Sequence, residues 1–134
     1  MKREIQSVRR DLSHYLFHWT RRTQQKPASD ILMEILEQKI LKGSNNYIRG
    51  SCGESHKCVC FTETPVSEFV SLFKFVLRNR DKPNAELLRY EPYGIAVKKE
   101  WLFKQDGRPV IYQTNAEYEK LPSDLQWRHC KYDP

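Results

Sequence analysis

The sequence lacks the long apolar segments and the catalytic signatures by which many proteins are recognised. No apolar run approaches the ~18 residues needed to span a bilayer, and no basic-then-apolar leader precedes a small-residue cleavage site. A Gly-rich phosphate loop, a Gly-x-Gly-x-x-Gly fingerprint, a nucleophile elbow and a helix-borne histidine pair for zinc are also absent. These absences predict a cytoplasmic protein with no membrane partner. They also leave the sequence without the motifs by which the common enzyme classes are recognised.

The four cysteines form no Cys-x-x-Cys pair. Cys52, Cys58 and Cys60 lie close together with His56 between them, so a small zinc module is one reading of this segment. A lone cluster would then have to supply all the ligands, because Cys130 is far away in the sequence. Reduced thiols in the core of a cytosolic protein are the favoured reading, and we expect no metal.

Positive charge is concentrated in the first 26 residues. The 134-residue chain has a formal net charge of +6, and residues 1–26 hold seven basic and two acidic side chains, so the remainder is almost balanced. Such a basic end is either a footprint for nucleic acid or an acidic partner, or a solvated face. If nucleic acid binds, the expected contacts are Arg9, Arg10, Arg21 and Arg22, and binding should weaken steeply with salt.

Hydrophobic periodicity gives the order of the secondary structure. It predicts amphipathic helices over residues 3–12, 29–42 and 65–78, with Gly43 capping the second. It also predicts strands at residues 14–20, 58–62, 93–97 and 109–112, a short helix or turn from 98 to 105, and a last short strand within 127–132. The length allows one core, so we expect a single small α+β domain in which a central mixed or antiparallel sheet is flanked by helices.

Two stretches indicate a site. In the first strand, alternation puts Tyr15, Phe17 and Trp19 on the core face and leaves His18 and Thr20 on the other face to line something polar. The second stretch, residues 57–65, reads as a central buried strand followed by Thr64 as N-cap and Pro65 in the first turn. A strand that ends at a helix N-terminus favours an anionic ligand, so we expect His18 and Thr62 near one cleft.

Five segments in the same order resemble the bacterial AbiGi-type abortive phage resistance proteins, and the similarity runs from about Leu12 to the end of the chain. The segments are Ser13–Thr20, Tyr47–Gly50, Cys58–Glu63, Tyr93–Ala96 and Gly107–Tyr112. Members are described as antitoxins of phage-exclusion systems. The resemblance therefore implies a phage-defence role with a cognate toxin as partner.

More distantly, the pattern is similar to the DarT-type ADP-ribosyltransferases, which use NAD to modify nucleic acid. The shared features are a histidine and threonine on the first strand, a helix, an arginine-bearing loop and a strand ending Phe-Thr. This resemblance implies an ADP-ribosyltransferase-like fold with NAD as cofactor. His18 would touch the ribose next to the nicotinamide, with support from Thr20. At the strand end, Phe61 and Thr62 would contact the cofactor. The resemblance also implies cofactor contacts from the loop between the second helix and this strand.

In that loop, Tyr47 is the alternative to Phe61 for stacking on the nicotinamide, and Arg49 would hold the pyrophosphate or assist transfer. Breaking the glycosidic bond of NAD builds positive charge on the ribose, so turnover also needs a carboxylate near the sugar. Proteins of the AbiGi type carry it in a late Trp-Glu-Arg-Glu-Trp-Arg-like strand that this chain, ending Tyr132-Asp133-Pro134, lacks. Glu63 is the remaining candidate, so we expect a weakly active or degenerate protein. The alternative is a non-enzymatic antitoxin or nucleic-acid-binding protein that uses the basic first 26 residues and exposed aromatic side chains.

Overall fold

The computed structural model describes residues 13–45, 56–79, 81 and 90–132. The fold is α+β, as the sequence predicts, and two compact units share the chain: unit 1 (Met1–Ile40 and Cys60–Leu102) and unit 2 (Leu41–Val59 and Phe103–Pro134). The elements in chain order are β1 (Tyr15–Arg21), α1 (Ala28–Gln38), β2 (Ser44–Asn45), β3 (Lys57–Cys58), α2 (Val66–Asn79), β4 (Tyr90–Lys98), α3 (Lys99–Lys104), β5 (Ile111–Gln113), α4 (Asn115–Tyr118) and β6 (His129–Lys131). A 3₁₀ turn, Gln126–Arg128, precedes β6.

Strand β1 lies in the middle of unit 1. It pairs antiparallel with β4 from Tyr15 opposite Lys98 to Trp19 opposite Gly94, and the register shifts after Trp19. On the other edge of β1, Phe17 and Thr62 form an antiparallel bridge with two main-chain hydrogen bonds, each 2.9 Å. Strand β1 therefore joins β4 to the segment that leads into α2.

The two long helices of unit 1 pack on opposite faces of the β1–β4 sheet. The Trp19 ring contacts Phe69 and Phe73 of α2, with ring centroids 5.2 and 5.0 Å away. The next side chain, Thr20, points the other way and bonds the main-chain carbonyl of Ala28 at the start of α1. Because neighbouring side chains of a strand point to opposite faces, these contacts place α2 and α1 on different sides. The prediction that the aromatic side of β1 packs into the core is confirmed at Trp19 and is wrong at Tyr15, the first residue of the strand, which is 44% exposed.

The prediction of a central strand over residues 58–62 is wrong. Strand β3 ends at Cys58 and pairs with β2 in unit 2, whereas Thr62 belongs to unit 1 and pairs with Phe17. The two ends of this β-prone stretch therefore pair with two different strands. Composition favours an extended backbone but does not select its partner.

Helix α1 ends earlier than its apolar pattern suggests. Lys39 takes a left-handed conformation with φ of 54°, so the helix stops at Gln38 and Gly43 is not its cap. At the other end the helix starts at Ala28, after Pro27, and Ser29 lies inside the first turn. Ile40 continues the apolar pattern beyond the helix end, which explains the overlong prediction. The predicted helix over residues 3–12 lies outside the described residues.

Unit 2 contains two short strand pairs. Strands β2 and β3 pair antiparallel, and β5 and β6 pair parallel with Ile111 opposite His129. His129 is 1% exposed, and its ring lies 4.9 Å from that of Tyr118 in α4. No helix in the described ranges is long and apolar enough to cross a membrane.

A capping box starts helix α4. The main-chain N–H of Thr114 donates to Glu117 Oε2 at 2.8 Å, and the Thr114 hydroxyl accepts from the Glu117 N–H at 3.4 Å. These bonds satisfy donors that the first turn of a helix would otherwise leave open. The main-chain bond from Thr114, followed by its hydroxyl bond, holds the pKa of the Glu117 carboxyl below its usual value.

Candidate functional site

One face of the β1 region in unit 1 carries a histidine, an aromatic ring and an ion pair. Phe17 and Thr62 form a bridge pair, and paired residues of antiparallel strands point to the same face. His18, which follows Phe17, points to the opposite face, as do the two neighbours of Thr62. The contacts agree with this parity, because the ring of Phe61 lies 5.6 Å from that of His18. We call His18, Phe61, Glu63 and Lys99 the His18 face.

The orientation of His18 is fixed by a main-chain contact. Its Nδ1 lies 2.8 Å from the carbonyl oxygen of Cys60. A carbonyl can only accept, so in the neutral imidazole Nδ1 carries the proton and Nε2 is left as an acceptor. The side chain is half-buried. The face therefore presents a hydrogen-bond acceptor beside an aromatic ring that is tilted by 52° from the imidazole.

Glu63 does not stand alone on this face. Its carboxylate forms an ion pair with the Lys99 ammonium, and the two side chains are 43% and 27% exposed. The main-chain N–H of Lys99 donates to the main-chain carbonyl of His14 at 3.3 Å, which holds the start of α3 beside β1. The paired ammonium reduces the negative charge that Glu63 can offer to a cationic reaction centre.

Lys99 is the member of the His18 face that sequence reasoning missed. The residue directly follows β4, whose register with β1 brings it opposite His14 and onto the side of the sheet where His18 lies. The signal was present in the sequence as a lysine at the end of a predicted strand. Reading it required the register of β1 against β4, which periodicity does not supply.

The structure gives Thr62 and Thr20 other surroundings. The Thr62 main chain pairs with Phe17, the residue before His18, but its side chain belongs to the Phe17 side of the bridge and does not share a cleft with His18. There its hydroxyl accepts from the Thr64 N–H at 3.2 Å. Thr20 is 3% exposed, and its hydroxyl contacts the carbonyls of Tyr93 at 2.8 Å and Ala28 at 3.2 Å. Both geometries support structural roles for these hydroxyls in place of the cofactor contacts that the resemblance implies.

Four of the remaining predicted site residues, Arg9, Arg10, Tyr47 and Arg49, lie outside the described residues. The basic pair at the end of β1 is described. Arg21 is exposed, and the Arg22 guanidinium lies 3.8 Å from the Glu91 carboxylate. Because an exposed ion pair of this length is weak, Arg22 is still accessible to an anionic partner.

In the segment considered for zinc, the Cys58 thiol and the His56 ring have protein contacts in unit 2. Cys60 is exposed and belongs to unit 1, so the prediction of a core thiol is wrong there. The Cys58 thiol donates to the Trp127 carbonyl at 3.7 Å, and the His56 Nε2 lies 3.5 Å from the Tyr118 hydroxyl. Among the described residues no three histidine, cysteine or acidic side chains come together as metal ligands. Cys52 lies outside those residues.

Comparison with known proteins adds no family assignment. No protein family model, curated protein or solved structure matches the chain.

Proposed function

We propose that the chain is a phage-defence protein that binds NAD, or a closely related nucleotide, on the His18 face of an ADP-ribosyltransferase-like fold and turns it over feebly or not at all. The observation that supports this proposal is the 2.8 Å contact between His18 Nδ1 and the Cys60 carbonyl, which leaves Nε2 as an acceptor. A ribose hydroxyl is a donor of the matching kind. Phe61 supplies an aromatic surface beside it for the nicotinamide ring.

Weak turnover follows from the state of Glu63. Cleavage of the glycosidic bond places positive charge on the ribose in the transition state, and a carboxylate accelerates the reaction only if its charge is available there. The Glu63 carboxylate is already paired with Lys99. Binding of the nucleotide uses His18 and Phe61 and does not depend on that carboxylate, so binding is expected to survive where turnover does not.

The first test measures the affinity of the full chain for NAD by calorimetric titration. Loss of one hydrogen bond in His18→Ala should weaken binding by roughly 2- to 10-fold. Phe61→Ala and Arg49→Ala should also weaken it. His14→Ala is the matched control, because His14 is an exposed histidine next to the same strand and should leave the affinity unchanged.

Equal affinities for His18→Ala, His14→Ala and the unmodified chain would contradict the assignment of the His18 face. A chain that binds no NAD at all would favour the alternative function, a non-enzymatic antitoxin or a nucleic-acid-binding protein. The circular dichroism spectrum of each variant distinguishes loss of the site from loss of the fold.

The second test is release of nicotinamide from NAD by the purified chain, alone and with single-stranded DNA, RNA or candidate protein acceptors. We expect slow release at most, and Glu63→Gln should change it little, because the paired carboxylate contributes little to the transition state. Fast release that is lost in Glu63→Gln would show that Glu63 is catalytic despite Lys99. The chain would then be an active transferase.

A further inference from the structure

Helix α1 leaves apolar side chains uncovered on its outer side. Met33 and Leu36 on the helix and Ile40 just beyond it are each more than half exposed. We call these three residues the α1 stripe. Glu37 lies one turn after Met33 and is exposed, and Asp30 lies one turn before it, so two acidic side chains border the helical part of the stripe. The exposed Lys39 lies next to Ile40, and the net charge around the stripe is negative.

Helix α2 has a comparable uncovered surface with the opposite charge. Val66, Val70 and Leu77 are 45, 44 and 51% exposed and repeat at helical spacing along one side. We call these three residues the α2 stripe. Lys74 lies one turn from both Val70 and Leu77, and Arg78 lies one turn after Lys74, so this stripe is bordered by basic side chains.

The bordering charges are not neutralised by ion pairs among the described residues. Neither Glu37 nor Asp30 forms an ion pair with a basic group there, and neither Lys74 nor Arg78 forms one with a carboxylate. Asp30 accepts a long hydrogen bond, 3.4 Å, from the Ser29 hydroxyl. Two exposed apolar surfaces of opposite charge are thus present on one chain.

We propose that the α1 stripe of one copy docks on the α2 stripe of a second copy of this chain. Apolar contact supplies the affinity and the opposite charges select this pairing over α1 with α1 or α2 with α2, where like charges would meet. A second copy is the favoured partner, because this chain itself carries both the apolar surface and the opposite charges that each stripe requires. Among the described residues fourteen large apolar side chains are exposed, and six of them belong to the two stripes.

The contact joins two different surfaces and is therefore heterologous. Trp19 and Thr20 place α2 and α1 on opposite faces of the β1–β4 sheet, so a bound copy leaves its second stripe available for a further copy. Heterologous contacts build rings or open chains, whereas a two-fold dimer would be closed. We expect the average mass of the chain in solution to rise with concentration beyond that of a dimer.

The test uses two double variants in the full chain, each of which replaces two of the three apolar side chains of one stripe with neutral, helix-compatible ones. Met33→Gln/Leu36→Gln disrupts the α1 stripe, and Val70→Gln/Leu77→Gln disrupts the α2 stripe. Loss of this apolar contact should weaken self-association by at least about tenfold in each variant. Each variant alone should sediment as a monomer, and an equimolar mixture should form a dimer and nothing larger, because the mixture contains one intact stripe of each kind.

Phe75→Gln is the matched control, since Phe75 is also more than half exposed but lies about two and a half turns after Val66, on the opposite side of α2. It should associate like the unmodified chain, and circular dichroism checks that every variant is folded. Three results would overturn the proposal: an unmodified chain that stays monomeric at all concentrations, a mixture that stays monomeric, or either double variant associating alone. The last result would show that like stripes pair.

Discussion

Replacing Gly94 by alanine is expected to destabilise unit 1 by about 3 kcal/mol or more, because the added methyl group has no space. A Cβ atom at this position would lie 2.5 Å from the His18 carbonyl oxygen, 2.8 Å from Trp19 Cε3 and 3.2 Å from Trp19 Cα. Two of these atoms belong to the main chain of β1, the strand in which Trp19 pairs with Gly94. The strands must separate to admit the methyl group. Denaturant unfolding followed by circular dichroism and tryptophan fluorescence measures the loss.

Gly43→Ala is the control for the general effect of a glycine-to-alanine change. A Cβ at Gly43 would lie 3.1 to 3.2 Å from main-chain atoms of Lys57 and Cys58, so these atoms would have to move by a few tenths of an ångström, less than at Gly94. We expect a loss of about 1 kcal/mol or less there. A Gly94→Ala chain as stable as the Gly43→Ala chain would mean that β1 and β4 can separate locally at little cost.

Trp19→Ala is the second change with a large expected effect, about 3–5 kcal/mol of unfolding free energy. The indole ring contacts Phe69 and Phe73 of α2 and stacks on Phe17, with centroids 5.2, 5.0 and 5.8 Å away. Removal leaves a cavity between β1 and α2 and takes away the ring contacts between this helix and β1. The same denaturant titration measures the loss, with circular dichroism as the probe because tryptophan fluorescence changes with the substitution.

Trp19→Phe separates packing from hydrogen bonding. The indole Nε1 is buried and has no hydrogen-bond partner in the described part of the chain, so phenylalanine keeps most of the ring contact and removes an unsatisfied donor. We expect a change of roughly 1 kcal/mol or less. An equal loss in Trp19→Ala and Trp19→Phe would show that the indole N–H is bonded and that this bond, not the ring contact, stabilises the unit.

The effects of substituting Gly94 and Trp19 are expected to be coupled. Part of the clash at Gly94 involves the Trp19 ring, and the rest involves the His18 carbonyl, which the ring substitution leaves in place. The double variant Gly94→Ala/Trp19→Ala should therefore be less destabilised than the sum of the two single variants, by roughly 1 kcal/mol. Strict additivity would place the whole clash at the main chain.

The phage-defence and NAD-binding proposals draw on a resemblance and on one face of unit 1, whereas the self-association proposal draws on two helix surfaces. The tests are independent. A chain that associates through its stripes and binds no NAD would retain the second proposal and lose the first, and the reverse outcome is equally distinguishable.

The sequence by itself determined the local structure of β1 and the two long helices. The alternation of Phe17, His18 and Trp19 predicted a strand with its aromatic rings toward the core, and the structure places Trp19 against α2. Period-2 and period-3.6 patterns arise from the geometry of a single strand or helix, so a short window of residues contains all the information needed. Helix ends were less predictable, because Ile40 extends the apolar pattern past the left-handed turn at Lys39.

The pairing of distant segments was decided only by the tertiary structure. It gave Cys58 and Thr62 different partners within one predicted strand, and it brought Lys99 to Glu63 across 36 residues of sequence. It also placed Phe61, and not the Thr62 side chain, beside His18. Every such contact depends on which residue of one strand lies opposite which residue of another, and a shift of one residue reverses the face of each side chain. The composition of the individual segments leaves that register open, and long-range packing fixes it.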